Sequence, residues 1–202
     1  ARICYTTGAI LSPDAFRFYH ALNIPLKSLY GTTEGGALTG AGNDEIHFET
    51  VGPAHEGTEV DISATGEIKY RQPGIFIGYY KDPEGTAAVL KDGWFHSGDS
   101  GLIREDGHLV FTDRLKDLVE LPGGHKVAPQ SIESRLRSSP HIKDAWILAG
   151  PEGAYLAAII VINYDNVSRW AGKNRVAFTS FTELSQAPEV YELVRQDIDR
   201  VN

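Results

Sequence analysis

A helix start signal between two short apolar segments restricts the fold of this chain more than any other feature. Residues 12–14, Ser-Pro-Asp, combine an N-cap residue, a proline at the first helical position and an acid in the first turn. Residues 2–6 and 26–30 flank this helix and suit short buried strands. A single apolar stripe continues the helix at Ala15, Phe18, Tyr19 and Leu22. The order strand, helix, strand predicts a β-α-β unit, whose second strand enters a glycine-rich loop at 31–36.

The next part of the chain, residues 51–112, has a different pattern. Strand-like runs at 58–63 and 67–71 are separated by a turn signal. Asp82-Pro83 predicts the start of a short helix to about Leu90, and Asp92-Gly93 predicts a turn after it. Asp106-Gly107 stands between two strand-like runs and predicts a hairpin. We therefore expect a small β-rich subdomain after the β-α-β unit.

The last part of the chain predicts a separate α+β domain that begins near residue 116. A helix begins at Pro129, and strands follow at about 143–149 and 155–162, the second of which suits a buried strand. A final helical stripe is formed by Val190, Val194, Ile198 and Val201. We expect core positions for the three tryptophans, Trp94, Trp146 and Trp170.

Composition excludes several classes of protein. With 19 Lys and Arg against 27 Asp and Glu, the net charge of −8 argues against a nucleic-acid-binding surface. No run approaches the roughly 20 apolar residues of a membrane-spanning helix. Cys4 is the only cysteine, and nothing indicates an oxidising compartment or a targeting peptide, so we expect a cytoplasmic protein. The seven histidines are scattered and show no metal-ligand spacing.

The chain contains no methionine, and it enters an apolar stretch directly after Ala1. It stops at Asn202 within a helical pattern. We therefore expect an excised piece of a longer protein. Cutting the first sheet would expose an edge and an apolar face, through which we expect the piece to self-associate.

Two loops have the chemistry of a nucleotide site. In residues 30–36, Tyr-Gly-Thr-Thr-Glu-Gly-Gly, glycines allow close backbone approach, hydroxyls can donate to phosphate oxygens, and Glu34 could hold Mg²⁺. In residues 93–101, Asp99 stands near two glycines and could accept from the vicinal hydroxyls of a ribose. Taken singly, each loop is also explained as a polar turn or a hairpin.

A third segment is densely charged. Residues 113–117, Asp-Arg-Leu-Lys-Asp, suit either a hinge or a solvated loop.

Five motifs in a fixed order resemble the adenylate-forming superfamily of acyl-CoA synthetases, luciferases and peptide-synthetase adenylation domains. They are Tyr-Gly-Thr-Thr-Glu at 30–34, Gly-Glu-Ile at 66–68, Gly-Tyr-Tyr-Lys-Asp-Pro-Glu at 78–84, Gly-Trp-Phe-His-Ser-Gly-Asp-Ser-Gly at 93–101 and Asp-Arg-Leu-Lys-Asp at 113–117. The last motif most resembles the long-chain fatty-acid CoA ligase branch.

The resemblance implies a fold of class α/β plus α+β. Residues 1–112 would form the C-terminal part of a large adenylate-binding domain, made of the β-α-β unit and the β-rich subdomain. Residues 113–117 would be a hinge, and residues 118–202 a small, mobile and truncated α+β C-terminal domain.

The resemblance also implies a two-step ligase that uses ATP, Mg²⁺ and coenzyme A to activate a small-molecule carboxylate, here a fatty acid. The implied AMP-binding residues are Gly8, Ala9, Tyr30, Gly31, Thr32, Asp99, Phe111 and Arg114. Thr33 and Glu34 would be catalytic, with Glu34 also the metal ligand. Lys116 would be the hinge, and Gly123 and Gly124 would line the coenzyme A tunnel.

Within the AMP site, the resemblance implies distinct roles. Tyr30 would stack on adenine, whereas Gly8 and Ala9 would line the adenine and acyl pocket. Asp99 would bind the ribose hydroxyls with help from Arg114, and Phe111 would pack against the sugar.

Three departures limit what the resemblance implies for this chain. The family's Ser/Thr/Gly-rich phosphate loop and the Gly-Lys motif that carries its catalytic lysine have no counterpart in the sequence, since Gly172-Lys173 lacks the surrounding pattern. Glu120 stands where luciferase-like relatives have lysine. We therefore expect the longer protein to be a ligase and this piece to be inactive or nearly so.

Two alternatives remain at this point. The acyl-adenylate could be passed to a carrier protein or oxidised, as a luciferase does, rather than transferred to coenzyme A. The piece could also act only as a nucleotide-binding or structural module without catalysis.

Overall fold

The computed structural model describes residues 4–9, 11–42, 45 and 47–201, and it divides into two compact units. The first unit extends to Leu118 and the second begins at Val119. Among the described residues, no helix is long and apolar enough to cross a membrane.

The first unit opens with the β-α-β unit that the sequence predicts. Strand β1 (Cys4–Thr6), helix α1 (Pro13–Ala21) and strand β2 (Leu26–Ser28) follow one another, and the two strands pair in parallel. Ser12 is the N-cap of α1, and its hydroxyl accepts a 3.2 Å hydrogen bond from the backbone N–H of Ala15. Residues 2 and 3 of the predicted first strand lie outside the described residues.

The apolar stripe of α1 faces away from the core of this unit. Phe18 is 61% exposed and Leu22 is 57% exposed, whereas Phe16 is buried and stacks against Phe48. Periodicity correctly identifies an apolar face on α1, but it does not show what covers that face.

The remaining strands of the first unit form a hairpin and a five-stranded sheet. The hairpin consists of β3 (Gly31–Thr32) and β4 (Gly36–Ala37). The sheet contains β5 (Glu59–Ile62), β6 (Glu67–Arg71), β7 (Leu90–Lys91), β8 (Trp94–Ile103) and β9 (Leu109–Arg114), with helix α2 (Pro83–Val89) before β7. All pairs in this sheet are antiparallel, and β8 pairs with β6, β7 and β9. The chain between residues 51 and 112 is thus rich in β-strands, as the sequence predicts.

Both Asp-Gly dipeptides lie in hairpin turns, where the sequence predicts a turn at Asp92-Gly93 and a hairpin at Asp106-Gly107. Asp92 and Gly93 join β7 to β8, both with positive φ (51° and 79°), as a two-residue hairpin turn requires. The turn with Gly107 joins β8 to β9. Both hairpins place β8 at the centre of the sheet, where Asp99 lies.

The core of the first unit joins the sheet to the segment that carries the glycine-rich loop. Its buried members are Tyr30, Leu38, Ile68, Tyr70, Phe95 and Leu109. Burying a side chain of this size stabilises the fold by about 1.5–3 kcal/mol. Because Tyr30 is itself one of these residues, the start of the loop is fixed by the core. A single 3₁₀ turn, Leu115–Asp117, follows β9 near the end of the unit.

The second unit is an α+β arrangement. Its strands are β10 (Val119–Glu120), β11 (Lys126–Val127), β12 (Ile142–Ala149) and β13 (Leu156–Ile162), which form two antiparallel pairs. Its helices are α3 (Pro129–Leu136), α4 (Tyr164–Asn174), α5 (Phe181–Ser185) and α6 (Pro188–Asp199).

One face of the β12–β13 pair is exposed, which corrects two predictions. Trp146 and Ile159 lie opposite each other and are 61% and 53% exposed, whereas Ala145 and Ile147 on the other face are buried. The predicted buried strand at 155–162 and the predicted core position of Trp146 are therefore wrong. The run is apolar on both faces, so the sequence does not distinguish a strand covered on two sides from one covered on a single side.

Candidate functional site

Four of the residues implied to bind AMP come together in the first unit. The Tyr30 hydroxyl donates a 2.6 Å hydrogen bond to Oδ2 of Asp99. Arg114 lies opposite Asp99 in the β8–β9 register, and its Nε is 3.1 Å from Asp99 Oδ1. The ring of Phe111, also on β9, stacks against that of Tyr30 with centroids 5.8 Å apart and an interplanar angle of 25°. The end of β2 and the centre of the sheet thus contribute to one cluster.

Burial controls the charge of this cluster. Asp99 is only 4% exposed. Desolvation raises the pKa of its carboxyl above the ordinary value, although the hydrogen bond from Tyr30 and the charge of Arg114 oppose this shift. Burial, reinforced by the negative charge of Asp99, raises the pKa of Tyr30 well above its ordinary value. Tyr30 is therefore a permanent neutral donor to the carboxylate.

One oxygen of Asp99 has no hydrogen-bond partner. Oδ1 is buried and lies within ion-pair distance of Arg114, but no hydrogen bond reaches it. Buried polar oxygens are rarely left without a partner, so a group with unused acceptor capacity at this depth is a candidate ligand contact. A hydroxyl group is a donor that suits it chemically.

The glycine-rich loop is a tight hairpin held by side chains of the sheet. Thr32 Oγ1 forms a short hydrogen bond with the hydroxyl of Tyr70 and accepts another, of 3.1 Å, from the N–H of Gly35. A Cβ at Gly31 would overlap the carbonyl oxygen of Gly36 across the hairpin. Glycine at position 31 is therefore required by the close approach of the two strands.

The two residues predicted to be catalytic lie at the tip of this hairpin. Thr33 is exposed, so its hydroxyl is accessible to solvent. Glu34 is partly buried, and its Oε1 accepts a 2.8 Å hydrogen bond from the Tyr79 hydroxyl. This contact orients the Glu34 carboxylate, whose oxygens are the ligand type that Mg²⁺ prefers.

Gly8 and Ala9 lie at the same edge of the first sheet as Tyr30. They follow the carboxyl end of β1, whereas Tyr30 follows the carboxyl end of the parallel strand β2. The N–H of Leu29 donates to the carbonyl of Thr6, which keeps the two exits adjacent. Carboxyl ends of parallel strands are where α/β sheets bind ligands.

The remaining predicted positions are not brought into this cluster by any described contact. Lys116 lies in the 3₁₀ turn that precedes the division between the units. Gly123 and Gly124 belong to the second unit, in the turn of the β10–β11 hairpin, with φ of 95° and 80°. Their roles as hinge and tunnel stay predictions.

Sequence reasoning missed two tyrosines that orient the site. Tyr70 and Tyr79 hold the side chains of Thr32 and Glu34, and burial raises the pKa of Tyr70 to about 12, so that it stays protonated. Tyr79 lies inside the motif at 78–84, which was a usable signal. Tyr70 lies between motifs, and only the fold shows its role.

Comparison with known proteins identifies the class to which this arrangement belongs. No family model matches the chain. The chain is 30% identical over 204 residues to long-chain-fatty-acid–CoA ligase FadD15 of Mycobacterium tuberculosis. This alignment covers 100% of the chain and 34% of that relative. It is 32% identical over 214 residues to long chain acyl-CoA synthetase 1 of Arabidopsis thaliana, covering 98% of the chain and 32% of that relative.

Solved structures agree. The chain resembles apo MatB from Rhodopseudomonas palustris with a TM-score of 0.65 and 29% identity, over 80% of the chain and 36% of MatB. It resembles an ATP-bound RpMatB-BxBclM chimera with a TM-score of 0.70 and 27% identity, over 96% of the chain and 38% of the chimera. The chain belongs to the adenylate-forming superfamily that contains the acyl-CoA synthetases. It spans about a third of the length of the curated relatives it matches.

Proposed function

We propose that this chain is the part of an ATP-dependent acyl-CoA ligase that holds the adenosine of the acyl-adenylate. In the first step, a carboxylate oxygen of a fatty acid attacks the α-phosphorus of ATP, and pyrophosphate leaves. In the second step, the thiol of coenzyme A attacks the acyl carbon, the thiol loses its proton, and AMP leaves with the electron pair of the broken C–O bond. The matched relatives are long-chain ligases by name, which supports this substrate class.

The observation that carries the proposal is the buried carboxylate of Asp99 with one oxygen lacking a hydrogen bond. Tyr30 occupies Oδ2 and fixes the orientation of the carboxylate, which leaves Oδ1 for a ribose hydroxyl. The Arg114 side chain beside it is 55% exposed, so its rotation toward solvent opens a path to Oδ1. A hydrogen bond to a charged group contributes about 1.5–3 kcal/mol.

The contacts of Tyr30 modify its proposed role. Its ring is buried and one face packs on Phe111, so adenine stacking is restricted to the face that Phe111 does not cover. We propose that the hydroxyl of Tyr30 positions Asp99 in addition to any contact of its ring with the base.

The hairpin at 31–37 would serve the phosphate end of the nucleotide. Thr33 would donate its exposed hydroxyl to a phosphate oxygen, and Glu34 would hold Mg²⁺ with Tyr79 orienting its carboxylate. A bound Mg²⁺ would supply charge stabilisation at the phosphate oxygens. A hydroxyl donor such as that of Thr33 would stabilise the transition state because it is already positioned when negative charge develops on the phosphate oxygens.

The proposal also assigns a separate role to each part of the chain. Residues 1–112 would belong to the adenylate-binding domain, Lys116 would be the hinge, and residues 118–202 would be the mobile domain whose Gly123 and Gly124 admit the thiol. We expect the chain alone to bind nucleotide but to form little or no acyl-AMP, since no counterpart of the family's phosphate loop or Gly-Lys motif is recognised in its sequence. Losing one charge-stabilising donor already costs about 10²–10³ in rate.

Calorimetry with AMP and with a non-hydrolysable acyl-AMP mimic tests the proposal on the 202-residue chain. Asp99→Asn should weaken binding by roughly 10- to 100-fold, because the charged acceptor is lost while the shape is kept. Asp61→Asn is the matched control, since Asp61 is a half-exposed aspartate of the same unit that forms an ion pair with Lys69. Absence of nucleotide binding, or equal losses in both variants, would refute the adenosine site.

The acceptor needs a separate experiment on the full-length ligase. Consumption of coenzyme A during turnover supports the ligase, whereas transfer to a carrier protein alone would identify an acyl-AMP ligase. A chain that binds AMP while the full-length protein forms no acyl-AMP would be a nucleotide-binding module.

A further inference from the structure

A second cluster of ligand-type side chains lies in the first unit and has no part in the proposed function. Its members are His47, Asp106 and His108, and one ligand atom from each lies within 4.8 Å of the other two. The two imidazole rings are 4.3 Å apart at their centroids. The histidines show no metal-ligand spacing along the chain, but the fold brings two of them together from distant segments.

The backbone fixes this cluster from two sides. Asp106 and His108 flank Gly107 in the β8–β9 turn, where Asp106 accepts a 3.2 Å hydrogen bond from the N–H of His108. The segment after His47 is bound to the start of β9, because the N–H of Val51 donates to Leu109 and the N–H of Leu109 donates to Gly52. Backbone hydrogen bonds therefore hold the two segments that carry His47 and His108 next to each other.

The environment of His108 presents one ring nitrogen to the cluster. His108 is 5% exposed, and its Nδ1 lies 3.0 Å from the hydroxyl oxygen of the buried Thr50. With the proton on Nδ1 donated to Thr50, the lone pair of Nε2 points toward the cluster. A hydrogen bond from the far ring nitrogen to an oxygen is the usual outer contact of metal-ligating histidines.

A fourth ligand-type group stands next to these three. Glu45 Oε2 is 3.8 Å from His108 Nε2, which is too far for a hydrogen bond. Glu45 is held in place by the N–H of Gly42, which donates to the same oxygen at 3.0 Å. Glu45 therefore stands beside the cluster without belonging to it, because only His47, Asp106 and His108 have ligand atoms that all lie within 4.8 Å of one another.

We propose that His47, Asp106 and His108 bind one divalent transition-metal ion of the Zn²⁺ type, with a water molecule as the fourth ligand. Mixed imidazole and carboxylate ligands favour such ions over Mg²⁺ or Ca²⁺, which prefer oxygen. Ligand atoms that are each about 2.1 Å from one tetrahedral ion lie about 3.4 Å apart. Separations of up to 4.8 Å would therefore shorten by as much as about 1.4 Å on binding, through rotation of the more accessible His47 and Asp106 side chains.

The metal would tie the segment at 47–50 to the turn of the β8–β9 hairpin. Ile103 and Leu109 pair at this end of the hairpin, whereas Asp99 and Arg114 pair at the other end. Strands rise about 3.3 Å per residue, so the two sites are roughly 13–17 Å apart along the hairpin. The metal site is thus structural and distinct from the proposed adenosine site.

The same residues could instead form only ion pairs. Arg104 already lies 3.0 Å from Asp106, and protonated histidines would pair with Glu45 and Asp106. Metal binding and simple ion pairing differ in one measurable respect, because only the former gives saturable, stoichiometric uptake of Zn²⁺.

Calorimetric titration of the 202-residue chain with Zn²⁺, and absorption spectroscopy with Co²⁺ as a reporter, test the proposal. We expect one equivalent to bind, with the d–d absorption of a four-coordinate nitrogen and oxygen site. Thr50→Val should weaken binding by roughly 10- to 100-fold through the loss of the outer hydrogen bond. His47→Ala should weaken it further than Thr50→Val does.

The burial of each histidine decides which variants test the metal site without unfolding the chain. His108 is buried and its replacement endangers the fold, whereas His47 is only partly buried and can be truncated with little loss of packing. His55→Ala is the matched control, because His55 is exposed and lies outside the cluster. Failure to take up one equivalent, or equal affinity in His47→Ala and the wild type, or an equal loss in His55→Ala, would overturn the proposal.

Discussion

The hydroxyl of Tyr30 donates a 2.6 Å hydrogen bond to Asp99, a carboxylate 69 positions away in the chain. Both side chains are buried, at 6% and 4% exposure. The pair joins the exit of β2 to the central strand β8, so it couples the β-α-β unit to the sheet. It also orients the carboxylate on which the proposed adenosine site depends.

Tyr30→Phe should destabilise the first unit by about 1–3 kcal/mol. The substitution keeps the ring and its packing on Phe111 but leaves a buried carboxylate oxygen without its donor. Tyr79→Phe is the control, because Tyr79 makes the same type of bond to Glu34 at a 38% exposed position, where a change within about 0.5 kcal/mol is expected. Urea unfolding measures both. Equal effects would show that burial of the Tyr30–Asp99 pair adds nothing.

Asp99 should make the stability of the chain depend on pH. Its folded-state pKa is raised above the ordinary value of 3.8, chiefly by desolvation. The folded state therefore holds this proton more tightly than the unfolded state, so the contribution of Asp99 is fully present below pH 3.8 and is lost as the pH rises through the raised pKa.

Asp99→Asn removes this dependence. The stability of the variant relative to the wild type should increase as the pH rises from about 4 to about 7, because the wild type must then bury a charge. Urea unfolding over this range measures the difference. A constant difference would contradict the raised pKa. The expected relative increase toward neutral pH, together with weaker AMP binding, would indicate that the charge of Asp99 serves binding at the expense of stability.

How much of this structure the sequence predicts depends on whether the signal is local. Neighbouring residues in the sequence predict both the turn at Asp92-Gly93 and the start of α1 at Ser12, and the structure contains both. The motifs also place Asp99 and Arg114 in one family pattern, and the structure brings them together. Local chemistry therefore predicts the elements and part of the candidate site.

Features that depend on distant segments were missed. Tyr70 reaches Thr32 across 38 positions, and no periodicity or turn signal encodes that contact. Thr50 and His108 are 58 positions apart, so a search for ligand spacing along the chain overlooks the histidine cluster. The exposure of Trp146 was missed because apolar strands do not reveal how many of their faces are covered.

Two glycine-to-alanine substitutions should change stability in opposite directions. Gly31→Ala should destabilise the chain by about 1–3 kcal/mol, because its Cβ would overlap the Gly36 carbonyl in the hairpin. Gly172→Ala should stabilise it by roughly 0.5–1 kcal/mol, since Gly172 lies within α4 with open space around its Cβ position. Thermal and urea unfolding measure both changes. A neutral Gly31→Ala would mean that the hairpin can open without cost.

The exposed stripe on α1 should drive self-association of the isolated chain. Phe18 and Leu22 present large apolar side chains to solvent, and surfaces of this kind usually mark interaction sites. Replacing both by serine should abolish the concentration-dependent increase in sedimentation coefficient without loss of stability, because neither residue is buried. Ile77→Ser is the matched control, since Ile77 is fully exposed but lies outside the stripe. A wild-type chain that sediments as a monomer at every concentration, or association that persists in the double variant, would show that this face is not the contact surface.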